Sequence, residues 1–330
     1  MNFKEFIGID VSKAHIDVFI YHKKLHRRFG NNQSGFEQLM DWLWKQVECR
    51  KEEVLFGFEH TGIYSLALSL YLDESSHAFS ILSGLELKRS LGLRRGKSDQ
   101  VDAEGIACYL YEKRERISPY KMPNTRQLTL KRLLSYRERL VKERAAFKGR
   151  FKEYTALLSE NEHQVLFDSH LKMIDCLNEE IKKVERELYR LVKEDDELCR
   201  QFELITSIKG VGPQTALLMI VLTNGFDAFA TWRKFASYAG TAPFPYESGK
   251  LIRKKKVSHL ANKRIKTLLS CCAVSAIQYN PEMKLYYQRR INENKNHMSS
   301  INVVRNKILA RIFAVVRRGT PYAETYKFAS

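Results

Sequence analysis

The stretch FIGIDVSKAHIDVFIYH, residues 6 to 22, runs twice through an apolar alternation with a short break between. Ile7, Ile9 and Val11 alternate with Gly8, Asp10 and Ser12, the period of a pleated strand with two distinct faces. Lys13-Ala14-His15 interrupts the run and Ile16-Asp17-Val18-Phe19-Ile20-Tyr21 resumes it, which predicts a β-hairpin. A carboxylate on such a strand needs cations, hydrogen bonds or a metal to stay charged there. The segments beyond the hairpin narrow the fold further. Lys24 to Phe29 reads as a third strand ending at Gly30-Asn31-Asn32. Ser34 is placed to cap a helix running to about Val47, with Phe36, Leu39, Leu43 and Val47 at helical spacing. Glu53 to Phe58 predicts a strand, Ile63 to Leu72 a helix, and Ala78 to Leu82 a short strand.

Three antiparallel strands followed by helix, strand, helix, strand and helix is the order of a ribonuclease-H-like α/β domain, here over residues 1–118. Residues 119–200 change character. Leu130, Leu133, Leu140, Phe147, Phe151, Tyr154 and Leu158 fall on a heptad seam that also carries Arg137 and Arg144. Ile174, Leu177, Ile181, Val184, Leu188 and Leu191 form a second, cleaner one. With a turn at Ser159-Glu160-Asn161-Glu162, these predict an antiparallel coiled-coil arm, either packed internally or used for self-association. Residues 201–330 open a mainly helical region. Ile208 to Leu218 ends one helix, passes a Gly210-Val211-Gly212 turn and starts an apolar helix, the helix-hairpin-helix pattern. There Lys209 and the amides around Gly210 and Gly212 are expected to hold a backbone phosphate.

The charge balance selects the partner. With 56 Lys+Arg against 38 Asp+Glu, the net charge of +18 favours a polyanion, most often nucleic acid. No run of about 18 apolar residues predicts a membrane span, and Met1 to Glu5 lacks a secretory leader's apolar segment. The six cysteines contain no CxxC pair, which argues against zinc and fits reduced thiols in a cytoplasm.

Glu59-His60-Thr61-Gly62 puts a second carboxylate at a strand end. Asp99 and Asp102 lie three apart and share a helix face, which the last helix of this fold can bring to Asp10 and Glu59. Four gathered carboxylates repel, and one or two oxygen-ligated Mg²⁺ or Mn²⁺ ions are their evident stabiliser. Such a pair, about 4 Å apart, can clamp a phosphodiester. Gly8-Ile9-Asp10 also opens actin-like and sugar-kinase ATPases, but no glycine follows Asp10 closely and no second glycine-rich phosphate loop occurs.

Gly8-Ile9-Asp10-Val11-Ser12-Lys13, Glu59 to Gly62 and Lys97-Ser98-Asp99-Gln100-Val101-Asp102-Ala103 resemble the DEDD transposases of bacterial insertion sequences, which share a RuvC-like N-terminal domain with Piv-type DNA invertases. The resemblance continues through Ile208 to Ala216, Tyr238 to Pro243, Glu247-Ser248-Gly249 and Arg317 to Tyr322, and so covers essentially the whole chain. It implies that Asp10, Glu59, Asp99 and Asp102 are the metal-binding set, and that Ser248 is a catalytic serine forming a covalent phosphoserine link to DNA. It further implies guidance by a structured bridge RNA that pairs with donor and target DNA.

Ser248 stands beside Lys250, Arg253, Lys254, Lys255, Lys256, Lys263, Arg264 and Lys266, while Arg89, Arg94, Arg95 and Lys97 lead into Asp99. These runs are the expected nucleic-acid contacts. A bacterial cytoplasmic, nucleoid-associated homodimer or homotetramer joined through the arm is the expected form. The rivals are a RuvC-like junction nuclease that uses water, and a non-enzymatic nucleic-acid-binding scaffold.

Overall fold

The alternation in residues 7–21 folds into the expected hairpin and seeds a five-stranded sheet. The structure, a computed structural model, describes residues 3–90, 98–248 and 251–323, and of residues 246–248 and 251–255 the backbone alone. It divides into two compact units, Met1–Met122 and Pro123–Ser330.

In the first unit the chain runs β1 (Glu5–Val11), β2 (His15–Ile20), β3 (Leu25–Gly30), α1 (Gln33–Gln46), β4 (Val54–Glu59), α2 (Tyr64–Glu74), β5 (Phe79–Leu82), α3 (Gly84–Ser90) and α4 (Asp99–Glu112). The sheet order is β3-β2-β1-β4-β5, antiparallel on the β3 side of β1 and parallel on the β4 side. The cap of α1 is Asn32 rather than Ser34: its extended backbone precedes the first helical residue, and its Oδ1 accepts the Gly35 N–H at 2.9 Å.

The period of two separates the sheet's faces. Ile7, Ile9, Val11, Ile16, Val18, Phe56 and Phe58 pack under α1 and α2 against Phe36, Leu39, Leu43 and Leu68. On the other face Phe6 and Leu55 meet Ile106, Tyr109 and Leu110 of α4. Gly8 and Gly57 are register partners on neighbouring strands, and together they let α4 lie directly on the sheet. A Cβ at Gly8 would stand 2.1 Å from the Ala103 carbonyl oxygen, and one at Gly57 2.6 Å from Leu110 Cδ1. This close approach fixes where α4 begins, and therefore where Asp99 and Asp102 stand.

The second unit holds α5 (Thr125–Leu157), α6 (Gln164–Lys193), α7 (Asp196–Thr206), α8 (Pro213–Thr223), α9 (Trp232–Tyr238), β6 (Pro243–Ser248), β7 (Leu251–Val257), α10 (Lys263–Tyr279), α11 (Pro281–Asn292) and α12 (His297–Arg318). Arg137 pairs with Glu185, Arg144 with Asn178 and Phe151 with Phe167, so α5 and α6 run antiparallel. The α6 seam from Ile174 to Leu191 is buried as expected. On α5 the buried positions are Leu130, Leu134 and Leu140, and the two seam arginines reach across to polar partners on α6. Leu130 and Leu188 share one core with Leu204, Leu217, Phe235 and Ile308, so the helical pair is rooted in the C-terminal region.

Candidate active site

Three neighbouring strands each present one carboxylate to the α4 face at one level. Asp10 on β1 is registered opposite Asp17 on β2, and Glu59 on β4 follows Phe58, the register partner of Ile9. The row ends at Arg28 on β3, opposite Asp17. Ser98 caps α4, its Oγ accepting the Val101 N–H at 3.3 Å, so Asp99 and Asp102 occupy the first turn, where the helix dipole favours negative charge.

Asp17 is 3% exposed and fully engaged. His26 Nε2 lies 2.8 Å from its Oδ1, and Arg28 Nε donates to its Oδ2 at 3.0 Å. Arg28 continues through Nη2 to Asp99 Oδ2 at 2.9 Å, linking the row to α4. The Glu59 carboxylate rests against the backbone at Gly84, where a Cβ would stand 1.8 Å from Oε1. Asp10 is pushed up to about 6, first by burial and then by the charges of Asp102, Asp99, Asp17 and Glu59. Asp10 therefore feels all three of the other expected carboxylates. Among the described residues no three His, Cys, Asp or Glu side chains are disposed to hold one ion, and Asp99 Oδ2 is turned to Arg28. His60 accepts the Gly62 N–H on Nδ1 at 3.2 Å, a use within its own turn.

Ser248 closes β6, paired through its backbone with Leu251 across the hairpin. Its side chain and those of Arg253, Lys254 and Lys255 lie outside the described residues, as do Arg94, Arg95, Lys97 and Lys250 entirely. The base of the hairpin is firmly held. Thr241 is buried, its hydroxyl donating to Asn306 Oδ1 at 2.8 Å and its carbonyl accepting from Asn302 and Asn306 Nδ2 at 2.8 and 2.9 Å. Gly240 (φ +65) sits so close to Ala261 that a Cβ would meet that residue's own at 2.2 Å.

Other expected contacts divide. Arg89 is exposed at the end of α3, and Lys256 and Lys263 are exposed beside the hairpin. Arg264 is turned inward instead: Nε pairs with Glu138 at 2.9 Å and Nη2 donates to the Leu134 carbonyl at 2.9 Å, tying α10 to α5. At the start of α8, the Thr215 hydroxyl meets Cys272 Sγ at 3.2 Å. Gly210 adopts φ +93 and packs on Ala276, where a Cβ would stand 2.8 Å from the backbone nitrogen. Tyr238 is partly exposed, with its ring against Phe229 and Phe235 and its hydroxyl accepting from Asn262 Nδ2 at 2.8 Å.

Two family models match this chain: a transposase model of the DEDD type from IS110 elements over residues 7–159, and the IS116/IS110/IS902 family transposase model over residues 202–288. The chain belongs to the IS116/IS110/IS902 transposase family. It is 28% identical to the pilin gene-inverting protein of Moraxella bovis across 97% of this chain and 98% of that one. The pilin gene-inverting protein of Moraxella lacunata matches at the same identity and coverage. The insertion element IS110 uncharacterized 43.6 kDa protein of Streptomyces coelicolor is 29% identical over 36% of this chain and 29% of its own. Transposase and invertase relatives make this a DNA recombination enzyme, and its DEDD domain suggests a divalent metal ion. No helix among the described residues is long and apolar enough to cross a membrane.

The transposase reading from sequence overlooked Asp17, His26 and Arg28. Asp17 repeats the signal of Asp10, a carboxylate inside an apolar strand, but the cross-strand register that joins it to Arg28 is not visible in one strand alone.

Proposed function

We propose that this transposase cuts and rejoins donor and target DNA through Ser248, with Asp10, Glu59, Asp99 and Asp102 holding divalent metal for the same reaction. The observation that carries the metal assignment is Asp10: burial and four neighbouring carboxylates raise its pKa to about 6. A site of oxygen donors that repel one another in this way suits Mg²⁺ or Mn²⁺. When bound, the ion polarises the phosphodiester and offsets the gathered negative charge.

In the proposed step Ser248 Oγ attacks the scissile phosphorus, loses its proton to a base, and the bond to the departing strand oxygen breaks as that oxygen gains a proton. The phosphoserine link conserves the phosphodiester energy, so strands can be exchanged and resealed without ATP. The stiff anchoring of Thr241 by Asn302 and Asn306 supports this role, because a nucleophile gains from a fixed approach.

The strand order of the first unit supports a ribonuclease-H/RuvC-like domain, and the α5–α6 pair supports a coiled-coil arm serving a dimer or tetramer. Guidance by a structured bridge RNA rests on the family resemblance and on the net charge of +18.

Trapping tests the reading. Full-length protein incubated with element-end DNA, the flanking noncoding RNA and Mg²⁺, then denatured, is expected to carry a DNA adduct that maps to Ser248. The adduct should vanish in Ser248→Ala and without metal or RNA. Cut DNA with no adduct would transfer the reaction to water and favour the nuclease.

A further inference from the structure

Beside the base of the β6–β7 hairpin is a cleft of about 730 Å³ whose lining includes Lys256, His259, Lys263, Lys266, Asn302 and Arg305 and, among the described residues, contains no carboxylate. Arg305 is its least ordinary member. On α12 and only 7% exposed, it has a buried Nε that meets no hydrogen-bond partner among the described residues. Its Nη1 donates to Asn302 Oδ1 at a long 3.3 Å. Burial lowers the pKa of this guanidinium, and no carboxylate among the described residues opposes the loss of solvent. A buried arginine with a vacant donor and no counter-ion is costly unless an anion completes it. Three lysines around the same opening exclude a cationic or apolar occupant and add to its pull on an anion.

We infer that this cleft binds a backbone phosphodiester of a nucleic-acid strand, with Arg305 as the buried anchor and Lys256, Lys263 and Lys266 as the outer charges. The placement fits a strand on its way to the serine. Pro243 and Val257, register partners at the hairpin base, both line the cleft, and β6 carries the backbone on to Ser248 over about 17 Å. Asn302 joins the two functions: its Oδ1 accepts from Arg305 while its Nδ2 holds the Thr241 carbonyl at 2.8 Å. A phosphate bound at Arg305 thus acts on the same α12 residue that fixes the hairpin root. The inference rests on the reading of the chain as a nucleic-acid recombinase, but not on the serine being its nucleophile.

The test is fluorescence anisotropy with full-length protein and three labelled probes: a thymidine 12-mer, a uridine 12-mer and a 12-base-pair DNA duplex. Arg305→Met should weaken at least one probe by about tenfold to a hundredfold, the worth of charge-assisted hydrogen bonds. Lys284→Met, which removes an exposed lysine from α11, should change binding far less. The probe that suffers identifies the strand as DNA or RNA. Circular dichroism and thermal unfolding should show Arg305→Met folded and no less stable than wild type, since an unpaired buried charge has gone. If it does not fold, the Lys263→Met, Lys266→Met double variant carries the same comparison. Losses no greater than those of Lys284→Met would overturn the site. Wild-type protein that forms no adduct in the trapping experiment but shows Arg305-dependent binding here would remove the serine mechanism and leave the cleft standing.

Discussion

Asp10 is held against four neighbouring carboxylates, and its chemistry has a sign that can be measured. Its folded-state pKa of about 6 lies above the ordinary 3.8, so between those values the folded protein keeps a proton that the unfolded chain has lost. Metal-free stability therefore falls as pH rises through about 4 to 6 and levels off above. The full shift corresponds to roughly 3 kcal/mol, reduced to about 2 kcal/mol because the side chain is partly exposed and screened. Asp10→Asn removes the charge and should be about 2 kcal/mol more stable than wild type near pH 7.5 in EDTA, with the difference vanishing near pH 4. Urea unfolding at four pH values reads this directly. Mg²⁺ should then raise the wild-type melting temperature more than the variant's. Equal stability at neutral pH would show that the carboxylates do not press on Asp10. Arg28 works against that pressure from the other side, neutralising Asp17 and Asp99 together. The contact between Arg28 and Asp99 Oδ2 has to open before both oxygens of that carboxylate can serve an ion.

At the level of elements, the decisive contact is α4 on the sheet. Gly8→Ala forces a methyl to within 2.1 Å of the Ala103 carbonyl, and backbone cannot swing aside as a side chain can. Overpacking of this kind costs about 1–3 kcal/mol, and the relief available is to lift α4 together with Asp99 and Asp102. Gly8→Ala should thus lose recombination more completely than stability, measured by adduct yield beside chemical unfolding. Gly149, within α5 with nothing near its Cβ position, is the control: Gly149→Ala should gain about 0.5–1 kcal/mol from helix propensity. The same contact shows what sequence can and cannot carry. The strands from Ile7 to Phe29 and the buried seam of α6 are legible because a period of two or of three and four survives in one dimension. Gly8 reads only as the small member of an alternation, since its partner Gly57 and the helix above both come from far along the chain. Ser34 passes for the cap of α1 because Asn32 looks like the end of the preceding turn, and one residue can serve both. Arg264 counts with its basic neighbours in the sequence, although Glu138 lies more than a hundred residues before it. Arg305 stands in no cationic run at all, and only its buried Nε, unpartnered among the described residues, marks it.

For the molecule as a whole, strand exchange between two duplexes needs four cuts, and a single chain holds one serine motif of the kind proposed. Assembly through the arm is the proposed answer, and the packing of α5 on α6 limits how it can occur. The seam from Ile174 to Leu191 is consumed within the chain, so it is not free to meet a second copy. The most exposed large apolar side chains among the described residues of the arm stand at its tip, where Leu157 at the end of α5 is 81% exposed and Val165 at the start of α6 is 82% exposed. Large apolar side chains this open, on either side of one turn, are the surface that a second arm would cover. The pair Leu157→Glu and Val165→Glu should therefore lower the solution mass from a multiple of the single chain to that of one chain, as read by light scattering after gel filtration. Fully exposed positions tolerate such changes within about 0.5 kcal/mol, so unfolding would not mimic the effect. The same variant should still bind the thymidine 12-mer but yield no exchanged product. An unchanged mass would move self-association off the arm.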